Sequence, residues 1–171
     1  SCEFGMPDYN EADTCRRFIT PKLIDAGWDK RPCFINQEHT FTDGRIQVYA
    51  GTGKRRASTQ KRADYVLRYR KSFPIAVVEA KEYAAHAATG LQQAKEYAEI
   101  LGLKFAYSTN GREIIEFDYF TGQIHTLDTF PTPDELWTRY SAGQQISAEA
   151  AEHLLEPSNP HQGKSPRYYQ E

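Results

Sequence analysis

Cysteine is scarce in this chain: three in 171 residues, an odd number, with Cys15 and Cys33 at no spacing that a metal site uses. That excludes a disulfide-stapled secreted scaffold and leads to the expectation of a reduced cytoplasmic protein. The five histidines, His39, His86, His125, His153 and His161, form no paired motif, which argues against zinc. No signal peptide opens the chain, and no apolar run approaches the roughly 18 residues of a membrane span. Positive charge is not in excess either. With 21 Lys and Arg against 23 Asp and Glu, the net charge of −2 would speak weakly against a nucleic-acid binder if it were evenly spread.

It is not evenly spread. Residues 51–62 carry Lys54, Arg55, Arg56, Lys61 and Arg62 without a single acid, and they run directly into Asp64. A basic loop abutting a carboxylate suits the approach of a phosphate backbone, giving affinity without sequence readout, although such stretches also occur as plain solvated loops. The Gly51-x-Gly53-Lys54 fragment is not a phosphate-binding P-loop, because Arg55 stands where Ser or Thr is required and the glycine spacing is wrong. A 39% hydrophobic content supports one core, hence a single domain over 6–156. Residues 1–5, ahead of Met6, read as a vector-derived scar. Beyond Glu156 the composition turns to Pro-Ser-Asn-Pro-His-Gln-Gly-Lys-Ser-Pro, a linker over 157–171.

The chemistry concentrates in two apolar segments that read as strands, 63–70 and 75–81. Glu79 and Lys81 share a face because strand side chains repeat with period two. A reversal around Lys71 to Pro74 would place residues 64 to 66 opposite 79 to 81 and return Asp64 beside that pair. Two carboxylates and an ammonium then converge. Such a trio suits a hard, oxygen-loving cation, Mg²⁺ or Mn²⁺, with Asp64, Glu79 and the backbone carbonyl of Ala80 as ligands. Lys81 can orient or polarise an attacking water. The competing reading of Glu79-Ala80-Lys81 is a solvated ion pair. The continuous run Ile75-Ala76-Val77-Val78 speaks against it, since it belongs to a buried central strand whose end opens at the mouth of a core.

The remaining pattern is helix, strands, helix, strands, then short helices. A first helix over 10–26 should bend or break at Pro21. Asn10 is its N-cap and Asp13 stands where a capping-box partner would. Strands follow near 34–41 and 45–50, then the site-bearing pair. A helix near 89–101 ends at Gly102. Next come a strand over 104–109 that crosses over to lie parallel to 75–81, a hairpin signal at Asn110-Gly111, strands over 113–119 and 123–129, and helices near 133–140 and 147–155.

With these residues in place, the sequence resembles the PD-(D/E)xK nuclease superfamily. It is more closely similar to the amino-terminal nuclease domain of the R (HsdR) subunit of type I restriction-modification enzymes. The segments that carry the resemblance are Glu11 to Thr14, Leu23 to Trp28, Lys61 to Leu67, Ala76 to Lys81, Gln92 to Ala98, Ser108 to Gly111 and Phe130 to Trp137. It implies an α/β fold, a restriction-endonuclease-like mixed central β-sheet flanked by helices. It implies that Asp64, Glu79 and Lys81 are the cleavage residues and that Gln93 and Tyr97 form a glutamine-x-x-x-tyrosine motif. Residues four apart do share a helical face, yet Tyr97 also fits the apolar stripe of Leu91, Ala94, Ala98 and Leu101. Ala63 stands where the superfamily name has proline. Glu11 is a further metal-ligand candidate, or simply an acid favoured at a helix N-terminus. The terminal Arg167-Tyr-Tyr-Gln resembles the entrance to a helicase-type motor, so ATP would serve only the full-length subunit. Implied partners are double-stranded DNA and the specificity and methyltransferase subunits, with no membrane. Two rivals remain: a non-catalytic DNA- or subunit-docking module, and a structure-selective repair nuclease on the same fold.

Overall fold

The computed structural model describes residues 8–42, 47–48, 55–56, 60–145 and 148–155. Residues 1–5, read as a scar, residues 157–171, read as a linker, and Lys54 lie outside the described residues. The architecture is α/β: a six-stranded mixed sheet flanked by helices. Its strands are β1 (Phe34–Thr42), β4 (Gln60–Arg70), β5 (Phe73–Ala80), β6 (Phe105–Thr109), β7 (Ile114–Asp118) and β8 (Gln123–Leu127), hydrogen-bonded in that spatial order. Two short strands, β2 (Gln47–Val48) and β3 (Arg55–Arg56), form a separate antiparallel pair. Only the β5–β6 contact in the main sheet is parallel, with Val77 opposite Ala106 and Glu79 opposite Ser108. The crossover that parallel pairing demands is made by a 3₁₀ turn, Ala87–Gly90, and helix α3 (Leu91–Leu101). Gly102, at φ 74°, ends α3 in the left-handed conformation that a Cβ would oppose.

Strand β5 is buried along Ile75 to Ala80, as its unbroken apolar run requires of a strand covered on both faces. One face of the sheet packs Tyr65, Leu67, Val78, Phe105, Tyr107 and Ile114 against Ile19, Leu23, Trp28 and Leu136. The other packs Val66, Val77 and Ala106 against Ala94, Tyr97 and Ala98 of α3. Strand alternation sorts them: Val66 and Val77 oppose each other, as do Tyr65 and Val78.

The first helix does not break at Pro21. It runs as α1 (Glu11–Thr14), a π-helical stretch (Cys15–Ile19) and α2 (Thr20–Asp25), with Pro21 in the first turn of α2. The widened turn before the proline, in which the Thr20 amide donates to the Cys15 carbonyl, accommodates the missing amide. Asn10 caps α1 by accepting the Asp13 amide at 2.8 Å, but the Asp13 carboxylate pairs with Arg16 at 2.9 Å. The reciprocal capping box sits instead between Thr132 and Glu135, opening α4 (Pro133–Gln144), which runs longer than the sequence pattern implied. Helix α5 (Ala148–Leu155) follows. Between β6 and β7 the loop is four residues, with Thr109 paired to Ile114, and Asn110 Oδ1 accepts the amides of Arg112 and Glu113 at 2.8 and 2.9 Å.

Helix α4 is bolted to the sheet by an ionic clasp that the sequence reading missed. Arg139 donates to both oxygens of Glu116 at 2.9 and 3.0 Å and to Asp118 Oδ2 at 3.0 Å. The Tyr107 hydroxyl donates to Glu116 at 2.6 Å, and the His125 ring lies 3.2 Å from the same carboxylate. With Glu116 only 1% exposed, the guanidinium and the phenol hold its pKa below the ordinary carboxylate value despite burial.

Candidate nuclease site

The β4–β5 hairpin turns tightly at Lys71-Ser72, with Arg70 paired to Phe73, and irregularities interrupt the register near Arg68. Tyr65 therefore faces Val78, and the expected pairing of 64–66 with 79–81 is corrected: continued by one residue, the observed register brings Asp64 to Glu79. The two carboxylates meet more directly than a reversal around Lys71 to Pro74 would allow. Each bonds the other's strand. The Asp64 amide donates to Glu79 Oε2 at 3.3 Å, and the Ala80 amide donates to Asp64 Oδ2 at 2.8 Å.

Glu79 is 4% exposed, and its pKa is pushed up to about 9, first by burial and then by the charge of Asp64; Lys81 pulls the other way. Lys81 lies one residue beyond β5, anchored by its amide to the Thr109 carbonyl at 2.8 Å. Asp64, Glu79 and Lys81 are thus gathered at one strand end, on the face covered by α3. Among the described residues no three His, Cys, Asp or Glu side chains cluster as a metal cage. Two carboxylates remain, leaving backbone oxygen and water to complete any coordination sphere. The buried, undercompensated charge of this pair fits a hard divalent cation.

Gln93 and Tyr97 face the same region from α3. Gln93 Nε2 donates to the Tyr97 hydroxyl at 2.6 Å. The two readings of Tyr97 coexist: its ring is buried in the α3 core, edge-on to Phe41 with centroids 5.2 Å apart. Its hydroxyl feels the site, since burial raises the phenol's pKa and the charges of Glu79, Glu96 and Asp64 raise it further. Glu11 is exposed in the first turn of α1. Its charge and that of Asp64 both act on Cys15, whose thiol is pushed up to about 11, chiefly by burial. Of the basic residues, Lys61 lies 3.9 Å from Glu96, Arg62 is exposed on β4, and Arg55 and Arg56 form β3.

Three residues around the site carry no titratable chemistry and went unnoticed as contributors. Ser108 and Gly90 lie beside Glu79 and Lys81. Asn110 donates to the Ala85 carbonyl at 2.6 Å and so holds the loop that follows Lys81. Ser108 and Asn110 fall in a segment that carried the resemblance, but nothing in the sequence alone marked their contacts.

A family description, type I restriction enzyme R protein N terminus, matches residues 32–131, which include Asp64, Glu79, Lys81, Gln93 and Tyr97. The chain belongs to this R-protein N-terminal family. Its R-protein relatives include the type I restriction enzyme EcoAI endonuclease subunit of Escherichia coli, 35% identical over 98% of this chain. The chain spans about a fifth of that protein, 21% of its length. A fragment structure assigned to an HsdR subunit of a type I restriction enzyme from Vibrio vulnificus YJ016 is 53% identical, with a TM-score of 0.80. That similarity covers 90% of this chain and 30% of the other. Among the described residues no helix is long and apolar enough to cross a membrane.

Proposed function

We propose that this R-protein N-terminal domain is a Mg²⁺- or Mn²⁺-dependent endonuclease that hydrolyses DNA phosphodiester bonds within a type I restriction complex. The observation that carries the reading is the meeting of Asp64 and Glu79 across the β4–β5 pair with Lys81 at the same strand end. Asp64, Glu79 and the Ala80 carbonyl would hold the ion, with water completing its sphere; Glu11, exposed on α1, joins no three-carboxylate cluster with them among the described residues. When bound, the ion neutralises charge on the phosphate and eases deprotonation of the attacking water. Lys81 directs that water and shares the neutralisation. Gln93 and Tyr97 flank the reacting strand with an amide and a phenol already bonded to each other. Lys54, Arg55, Arg56, Lys61 and Arg62 draw in the DNA backbone.

Double-stranded DNA and the specificity and methyltransferase subunits are the proposed partners. ATP-driven translocation belongs to parts of the subunit outside this chain. Mn²⁺ titration of the chain tests the reading, followed by cleavage in an assembled enzyme carrying it. Asp64→Ala should abolish Mn²⁺ binding, whereas Lys81→Ala should keep it. Either substitution should cost about a thousandfold or more in cleavage rate. Undiminished cutting by the variants would refute the assignment, and DNA binding indifferent to metal would favour a docking module instead.

A further inference from the structure

Gly90 is buried at the junction of the 3₁₀ turn and α3. Its φ of −91° is open to any residue, so backbone conformation does not require glycine there. Space does. A Cβ at this position would lie 2.9 Å from Lys81 Cε and 2.9 Å from Ser108 Oγ, with Glu79 Cβ at 3.5 Å.

Ser108 has little freedom to give way. It is fully buried on β6; its hydroxyl donates to the Ala87 carbonyl at 2.5 Å and accepts the Gly90 amide at 3.1 Å. Those two bonds fix both ends of the Ala87–Gly90 turn to the sheet. Of the two groups in the way, the lysine stem is the one that can move.

We propose that Gly90 is a positioning residue for Lys81: its absent side chain keeps open the lane through which the lysine stem runs beside Glu79, and Ser108 pins the turn that forms the lane's wall. The placement stands on geometry alone; its catalytic consequence rests on the nuclease reading. A group that must sit beside a reacting water loses much of its effect when displaced by about 1 Å.

The test is Gly90→Ala, with Ser108→Ala/Gly90→Ala as its companion. In Gly90→Ala, Mn²⁺ binding should persist because both carboxylates remain. Acylation of Lys81 by an N-hydroxysuccinimide ester, read by mass spectrometry on the whole chain, should rise severalfold as the ammonium swings outward. Cleavage by the assembled enzyme should fall about 100-fold in kcat with KM for DNA unchanged. The double variant removes the Ser108 hydroxyl and with it both bonds that pin the turn, so the turn can yield to the new methyl, and Lys81 reactivity and kcat should return part-way. Wild-type acylation and cleavage in Gly90→Ala would overturn the proposal, as would a double variant as altered as Gly90→Ala, since Ser108 would then not pin the lane's wall. If acylation shifts as expected but the parent enzyme does not cut, the placement of Lys81 stands and the nuclease reading fails.

Discussion

Replacing Glu79 by glutamine should make the metal-free protein more stable at alkaline pH while abolishing the proposed Mn²⁺ binding. The carboxyl is 4% exposed and faces Asp64, and its pKa stands at about 9 against an ordinary 4.5. The folded chain therefore binds this proton more tightly than the unfolded chain. Stability is full below the ordinary carboxylate range, declines as pH climbs through the window from about 4.5 to about 9, and levels above it. The slope from this group is on the order of 1 kcal/mol per pH unit, or a few kcal/mol between pH 5 and pH 8. Glutamine keeps the shape and an oxygen for the Asp64 amide but carries no charge. Urea unfolding in EDTA should show the two proteins near equal at pH 5 and Glu79→Gln ahead at pH 8. Millimolar Mn²⁺ should then raise the parent and leave the variant unmoved. Parallel pH curves for both proteins would refute the claim that the buried Glu79 charge is the cost that a metal relieves.

Tyr97→Phe and Gln93→Ala each remove the 2.6 Å bond without emptying the α3 core. Urea midpoints should barely move, Mn²⁺ binding should hold, and cleavage should drop at least about tenfold, equivalent to about 1.4 kcal/mol. Arg139→Ala strips the partner from buried Glu116 and Asp118 and should destabilise the fold by about 3–5 kcal/mol in urea titrations. Lys61→Ala and Arg62→Ala should each flatten the salt dependence of DNA binding by about one phosphate contact at most. The effect should be smaller for Lys61, which already faces Glu96 at 3.9 Å.

Strand β5 was legible because a buried parallel strand has to be apolar without interruption, and Ile75 to Val78 are. The Asp64–Glu79 meeting was legible as a hairpin consequence, but its register was not. One tight turn at Lys71-Ser72 and irregular pairing near Arg68 decide which residues face, and neither leaves a periodic signature. Pro21 was read as a bend or a break, and the break is absent because a wider preceding turn absorbs the proline, an irregularity that propensity alone does not specify. The clasp of Arg139, Glu116 and Asp118 joins residues 21 and 23 positions apart through tertiary packing alone. Gly90 was invisible for the simplest reason. What matters there is an empty volume, and its boundaries come from Lys81 and Ser108, distant in sequence.

The wide turn at Cys15–Ile19 amounts to one extra residue threaded into an otherwise regular rod. Each residue advances an α-helix by about 100° around its axis, so shortening that turn by one residue would rotate Glu11 and Tyr9 away while Leu23 stayed seated. Length in this segment, more than side-chain identity, sets the direction in which the amino-terminal acid points. A one-residue deletion there, taken at Arg17, should therefore re-aim Glu11 and Tyr9 while leaving Asp64, Glu79 and Lys81 where they are.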